Sequence, residues 1–297
     1  MTDFDDDPPR KRIKAHDLRI CTWNVRSLNK LRAISQLETV LKNYKTEIIA
    51  LQEMRWTGQG QTKLSSCDIY YSGHASRHVF GCGFAVSGDL RELVSRFTPV
   101  DERLAAIRIK AKYFYISLIC AHAPTEDKDD TTKDAFYDKL EVLYNRCPRS
   151  DIKMLVGDFN AKVGREGIFG PTVGKHSLHE KTSDNGFRLV SFAAAQNMVI
   201  ASTRFQHLNI HKATWRSPDL NTKNQIDHVV IDGRHASSIL DVRTLRSANI
   251  DSDHFLVAAK VRTRLCAYNN TCKSVQRSFD VQKLRSQKIA VSFSIRL

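Results

Sequence analysis

The run Lys153-Met-Leu-Val-Gly-Asp-Phe-Asn160 carries apolar weight into Gly157 and then offers two polar side chains, Asp158 and Asn160, set two apart. In an extended strand, residues i and i+2 share a face. The pair is therefore expected to project together from the carboxyl end of a buried strand, where sites form in open α/β sheets. Other strand-like runs end in the same way, on Asn24, Glu53, His122, Asp227, and Asp253 with His254. These are groups that bind hard divalent cations, move protons or hold phosphate oxygens. A single strand-end Asp is an ordinary turn or helix cap. Six such endings are another matter, because an unpaired buried charge is costly and buried strands do not collect carboxylates by chance.

The elements that must deliver these residues alternate along the chain. Strand-like runs are expected at 18–24, 47–53, near 69–71, 81–86, 104–110, 113–121, 153–160, from Met198, at 214–216, 225–231, 239–245 and 255–262. Helical spacing is expected over 31–44, 134–146 and 185–196. Residues 57–78, 124–132 and the Gly-rich 164–183 read as loops. No repeat or Pro/Gly/Ser linker divides 18–264, so one α/β domain with packed sheets covered by helices is expected. Boundaries are expected at 17–264, preceded by an arm (1–16) and followed by a basic, weakly patterned extension (265–297) that ends soon after the domain.

Composition narrows the partners. The 297-residue chain has a net charge of +14, which points to a polyanion such as nucleic acid. Seven scattered cysteines form no C-x-x-C pair, so neither a zinc site nor a disulfide framework is indicated. The acidic N-terminus lacks an apolar signal-peptide core, and the longest apolar stretch, 113–123, is too short to span a bilayer. The expectation is a soluble intracellular protein, not secreted, not at a membrane, monomeric, and nuclear or otherwise cytoplasmic; Arg10, Lys11, Arg12 and Lys14 form a cluster of the kind importins or nucleic acids bind.

Trp23-Asn24, Leu51-Gln52-Glu53, Gly157-Asp158-Phe159-Asn160, Gln225-Ile226-Asp227-His228 and Ser252-Asp253-His254 resemble the ordered motifs of the endonuclease/exonuclease/phosphatase superfamily. That superfamily includes DNase I, exonuclease III-type apurinic endonucleases and LINE retrotransposon endonuclease domains. The second half, with Thr214-Trp-Arg-Ser-Pro-Asp219 and Asp241-Val-Arg-Thr244, is most similar to the RTE-type LINE endonuclease domain and to the craniofacial development protein 2-like host proteins derived from it. No reverse transcriptase follows, so the chain resembles an isolated or truncated endonuclease domain.

The resemblance implies a four-layer α/β sandwich, two packed mixed β-sheets flanked by helices, with the site at one sheet edge. It implies phosphodiester hydrolysis with Mg²⁺, Mn²⁺ being a substitute. Glu53 matches the principal metal ligand; Asn24 orients it or contacts the phosphate. Asp253 is a second metal ligand or supports one. His254 pairs with Asp227, Asp158 positions or deprotonates water, and Asn160 holds a phosphate oxygen; the family leaves Asp or His open as base. Two departures stand out. Arg26 occupies a position that is acidic in apurinic endonucleases, and His122 stands where many relatives carry Tyr, which makes it a candidate general acid.

Arg26, Arg55, Trp56, Lys162, Arg165, Trp215 and Arg216 fall in loops after the strand ends. Basic groups there suit phosphates, and the aromatics either stack on a base or pack. The leading expectation is a DNA endonuclease that nicks one strand and leaves a 3′-hydroxyl. The alternatives are a phosphomonoesterase of the same superfamily and a non-enzymatic DNA or chromatin module.

Overall fold

The computed structural model describes residues 17–111 and 114–262. The expected arm at 1–16 and extension at 265–297 lie outside the described residues, as do Cys266 and Cys272.

One sheet has seven strands: β1 (Leu18–Asn24), β2 (Ile48–Gln52), β3 (Gln59–Lys63), β4 (Cys67–Ser72), β5 (Cys82–Ser87), β14 (Ile239–Leu245) and β15 (Leu256–Val261). Their spatial order is β14-β15-β1-β2-β5-β4-β3. The other has six: β6 (Val94–Pro99), β7 (Leu104–Lys110), β8 (Tyr115–His122), β9 (Ile152–Asp158), β10 (Met198–Ile200) and β13 (Asp227–Asp232). They run in the order β10-β13-β9-β8-β7-β6. A small ribbon joins β11 (Trp215–Arg216) to β12 (Lys223–Asn224).

Strand periodicity divides the apolar residues among three cores. Ile20, Ile48, Ala50 and Phe84 of the first sheet pack against Ile107, Leu118, Met154, Val156, Val229 and Ile231 of the second. The alternate residues Trp23, Ile49, Leu51 and Ala85 lie under helix α1 (Ala33–Asn43), which buries Leu37, Val40 and Leu41. Ile119, Leu155 and Val230 lie under α2 (Asp130–Arg146) and α3 (Asp184–Ala195). Sheets buried on both faces explain why the central strands read as nearly continuous apolar runs. The result is the expected four-layer α/β sandwich. A short helix, α4 (Asn209–Lys212), precedes the ribbon.

Two β-α-β units set the site. β1 and β2 run parallel, as do β8 and β9, while the other strand pairings are antiparallel. A parallel pair needs a long crossover, and α1 and α2 supply it. Asn24, His122 and Asp158 thus arrive at strand carboxyl ends, where Asp227 at the amino end of β13 meets them.

Three local expectations change. Residues 57–78 are not a loop with one short strand but include the β3–β4 hairpin; β3 is a polar edge strand with alternating exposure, so no apolar run announced it. β6, likewise an edge strand with no fully buried residue, was unannounced. Helix α2 begins at Asp130 rather than Asp134, because Asp129 caps it by accepting from the Thr132 N–H.

Candidate functional site

Asn24, His122, Asp158 and Asp227 share the inward parity of the core residues Ile20, Leu118, Val156 and Val229. They are the last rung of the inter-sheet core, at the point where apolar packing gives way to polar groups. Gly157 permits this: a Cβ there would lie 1.9 Å from the Ala121 carbonyl oxygen of the adjoining strand.

Asp158 pairs in register with His122 on one side and Asp227 on the other. His254, just ahead of β15, lies across the two carboxylates, with Nδ1 3.1 Å from Asp227 Oδ2 and Nε2 3.7 Å from Asp158 Oδ2. Its loop is pinned to β1: Trp23 Nε1 donates to the His254 carbonyl at 3.0 Å, and Ser252 Oγ donates to the Asn24 carbonyl at 2.7 Å. Burial opposes protonation of His254, but Asp227 and Asp158 outweigh it and push its pKa up to about 9. Burial, then the facing Asp227, raise the Asp158 carboxyl above its ordinary value.

Asn24 is the strut between two acids. Its Nδ2 donates to Glu53 Oε1 and to Asp158 Oδ2, both at 3.0 Å, so both amide hydrogens are engaged. Glu53 also accepts from Arg55 at 2.9 Å and lies 4.0 Å from His122 Nε2. Burial works to raise the Glu53 pKa, yet the Asn24 amide, His122 and Arg55 hold it below the usual range. Burial lowers the His122 pKa despite Asp158 and Glu53 nearby, and its Nδ1 is shielded and without a hydrogen-bond partner among the described residues.

An open cleft of about 550 Å³ exposes these groups. Glu53, His122, Asp158, Asn160, Asp253 and His254 form its chemical wall, and Arg26, Arg55, Lys162 and Trp215 its margin. Asp227 and Asn24 are buried behind it. Asn160 reaches the cleft differently from the expectation. The strand ends at Asp158, and Asn160 sits in the left-handed region (φ 47°), with its N–H on Asp158 Oδ1 and its amide on the Ala123 carbonyl. Arg26, Glu53 and Arg55 also have left-handed backbones (φ 53°, 52° and 58°), as does neighbouring Phe80 (φ 53°). Side chains rarely adopt that region, and such strain clusters at functional sites.

Three residues do not join the cleft. Trp56 packs edge-on against Tyr71 (centroids 5.2 Å apart) beside the α1-side core, a packing position. Arg216 lies over the Phe255 ring at 6.0 Å, and Arg165 pairs with Glu180. Trp215 does line it, with Nε1 donating to Asp253 Oδ2 at 3.1 Å. Sequence reasoning missed Phe80 and Arg103, which flank His122. Neither ends an apolar run on a carboxylate, amide or imidazole, so the signal used for the others passes over them.

Residues 21–254 match the family described as Endonuclease/Exonuclease/phosphatase family. The chain belongs to this family. Within the endonuclease/exonuclease/phosphatase family it is 32% identical over 265 residues to craniofacial development protein 2 of Bos taurus, covering 89% of this chain and 44% of that one. The protein of the same name from Tragulus javanicus is also 32% identical, over 89% of this chain and 45% of its own. The chain therefore spans less than half the length of these curated relatives. Similar folds include the endonuclease domain of TRAS1, a telomere-specific non-LTR retrotransposon (TM-score 0.59, 14% identity, 84% of this chain and 100% of that one). The Xenopus laevis APE2 catalytic domain is comparable (TM-score 0.62, 16% identity, 82% and 92%). Among the described residues, no helix is long and apolar enough to cross a membrane.

Proposed function

We propose that the chain is a Mg²⁺-dependent DNA endonuclease of retrotransposon origin that nicks one strand and leaves a 3′-hydroxyl. The observation that carries this reading is the convergence of Glu53, Asp158, Asn160 and His254 on one open cleft rimmed by Arg26, Arg55 and Lys162. The basic rim and the net charge of +14 support a polyanionic substrate.

The donor set fits a hard divalent cation. Glu53 offers a half-buried carboxylate, and Asp253 Oδ1 is shielded from solvent without a hydrogen-bond partner among the described residues, as an oxygen reserved for a cation would be. Asp158, Asp227 and His254 also bring ligand atoms within 4.8 Å of one another. His254 is engaged by Asp227 and carries a proton at neutral pH, so that trio suits proton handling better. Glu53 would hold the metal, Asn24 would fix the Glu53 carboxylate, and Asp253 would complete the set. When bound, Mg²⁺ or Mn²⁺ supplies neutralisation of charge on the phosphoryl oxygens.

The protein's own groups do the rest. Asp158 accepts the proton of the attacking water, since His254 is already protonated. The His254 imidazolium, held by Asp227, donates to phosphoryl oxygen as charge builds. Asn160 has a second amide hydrogen for a phosphate oxygen beyond the one given to Ala123. His122, kept neutral by burial, donates a hydrogen bond to the leaving oxygen, which takes the proton it needs to become the 3′-hydroxyl from solvent water in the open cleft. Relaxation of supercoiled plasmid with Mg²⁺ or Mn²⁺ tests the reading: wild type should nick it and Asp158→Ala should not. Equal relaxation by both proteins, or none by wild type, overturns it.

A further inference from the structure

A second cleft of about 300 Å³ adjoins the first at Glu53 and His122, and Lys162 is not among the residues that line it. Arg55, Arg103 and Lys128 supply cations, and Phe80 supplies an aromatic ring. Glu53, Arg55, His122 and Thr125 border both clefts, so the two adjoin along these residues.

Phe80 is packed on one side by Arg103 and His122 and left partly open to solvent. Its backbone is left-handed at φ 53°, a conformation a bulky side chain adopts only when its surroundings impose it. Gly81 and Arg55 impose it here: the Phe80 carbonyl accepts from the Arg55 N–H at 2.7 Å, and the Gly81 N–H donates to the Glu102 carbonyl at 2.8 Å. The Arg103 guanidinium lies 4.0 Å from the ring centroid, and His122 meets the ring edge-on at 5.8 Å. Phe80 is nevertheless 36% exposed as a residue and lines the cleft. An apolar ring held open to solvent by strained backbone, among three cations, matches the chemistry of a nucleobase flanked by its phosphates.

We infer that this second cleft binds one unpaired nucleotide next to the scissile phosphate, its base stacked on Phe80 and its backbone phosphates held by Arg103 and Lys128. A base in intact duplex is covered on both faces by its neighbours, so it reaches Phe80 only after leaving the stack. DNA with a mismatched or unpaired nucleotide at that position is thus the preferred ligand. The inference rests on the reading of the site as one that takes DNA.

Binding without turnover tests it. Fluorescence anisotropy in EDTA compares a labelled 20-base-pair duplex carrying one mismatched nucleotide with its fully matched twin. Wild type should bind the mismatched duplex about tenfold more tightly, the scale of one base–aromatic stack. Phe80→Ala should bring the two affinities within about twofold, and Phe80→Trp should keep the preference. Equal affinities in wild type, or a preference that survives Phe80→Ala, would overturn the inference. Since no cleavage is measured, an inactive site leaves this result readable, and a failed plasmid assay speaks only to the proposed reaction.

Discussion

Asp158 and Asp227 stand directly opposite one another on adjoining antiparallel strands, and the His254 ring spans them. Two buried acids in register repel; an imidazolium between them turns that repulsion into a tight, proton-sharing set. The stability of this set depends on pH in a definite direction. The folded pKa of His254, about 9, lies above its ordinary value, so its contribution is complete below roughly pH 6.5 and is lost as pH rises through about 9. Thermal melts in EDTA from pH 6 to 10 should show wild type losing on the order of 3 kcal/mol across that window. Asp227→Asn removes the principal group that raises the His254 pKa, so its melts should be much flatter over the same range.

Glu53→Gln keeps the shape but loses the charge that faces Arg55 and, on the proposed reading, the cation. The Mg²⁺ concentration for half-maximal plasmid nicking should rise roughly tenfold to a hundredfold. A metal titration of nicking rate measures it; an unchanged midpoint would move the metal to other ligands.

Asn24 offers a sharper probe, because its amide separates two carboxylates. Asn24→Asp places a third acid between Glu53 and Asp158, and its folded pKa should be raised. The variant's deficit against wild type is smallest at pH 4, where the new acid is neutral but has one hydrogen for the two carboxylates, and it grows by about 2 kcal/mol by pH 8. Urea unfolding at the two pH values in EDTA reads this loss, and Mg²⁺ should restore part of it.

Away from the site, Arg108 forms a bidentate pair with Asp151 (2.7 and 2.9 Å), to which Ser117 also donates at 2.7 Å. Asp151 is almost wholly buried, and although burial works to raise its pKa, Arg108 and Ser117 hold it below the carboxylate norm. Arg108→Met leaves that charge without its partner and should cost roughly 3 kcal/mol in urea unfolding at pH 7, with the nicking rate of the folded protein unchanged. The difference from wild type should shrink as pH falls through the range where Asp151 becomes neutral, the direction required of a depressed acid.

Much of this arrangement was legible in the sequence because both faces of the central sheets are buried. Such strands must be apolar throughout, so a polar ending is conspicuous, and Asn24, His122 and Asp158 announced themselves in that way; Asp227 opens β13 and Asp253-His254 precede β15, so these groups reach the site from strand beginnings and not, as expected, from strand ends. The edge strands β3 and β6 were silent for the complementary reason: half-exposed and polar, they carry no run to read. Trp56 and Trp215 looked alike in sequence, each beside an Arg after a strand end. Only tertiary packing separates the one lying on Tyr71 from the one reaching Asp253. Left-handed backbones were equally invisible. Nothing in the residue types of Glu53, Arg55 or Phe80 requests positive φ; the surrounding hydrogen bonds impose it.

Those backbones give the site a recognisable way to decay. Arg26, Glu53, Arg55, Phe80 and Asn160 each hold a conformation that glycine would adopt without strain and that costs a larger residue roughly 1 kcal/mol or more. A lineage that kept the sandwich for some other purpose would gain stability by replacing them. Glycine or asparagine at 26, 53, 55 and 80 in a relative would therefore mark a fold relieved of that strain. The full set, as it stands in this chain, is what a cleft still under tension looks like.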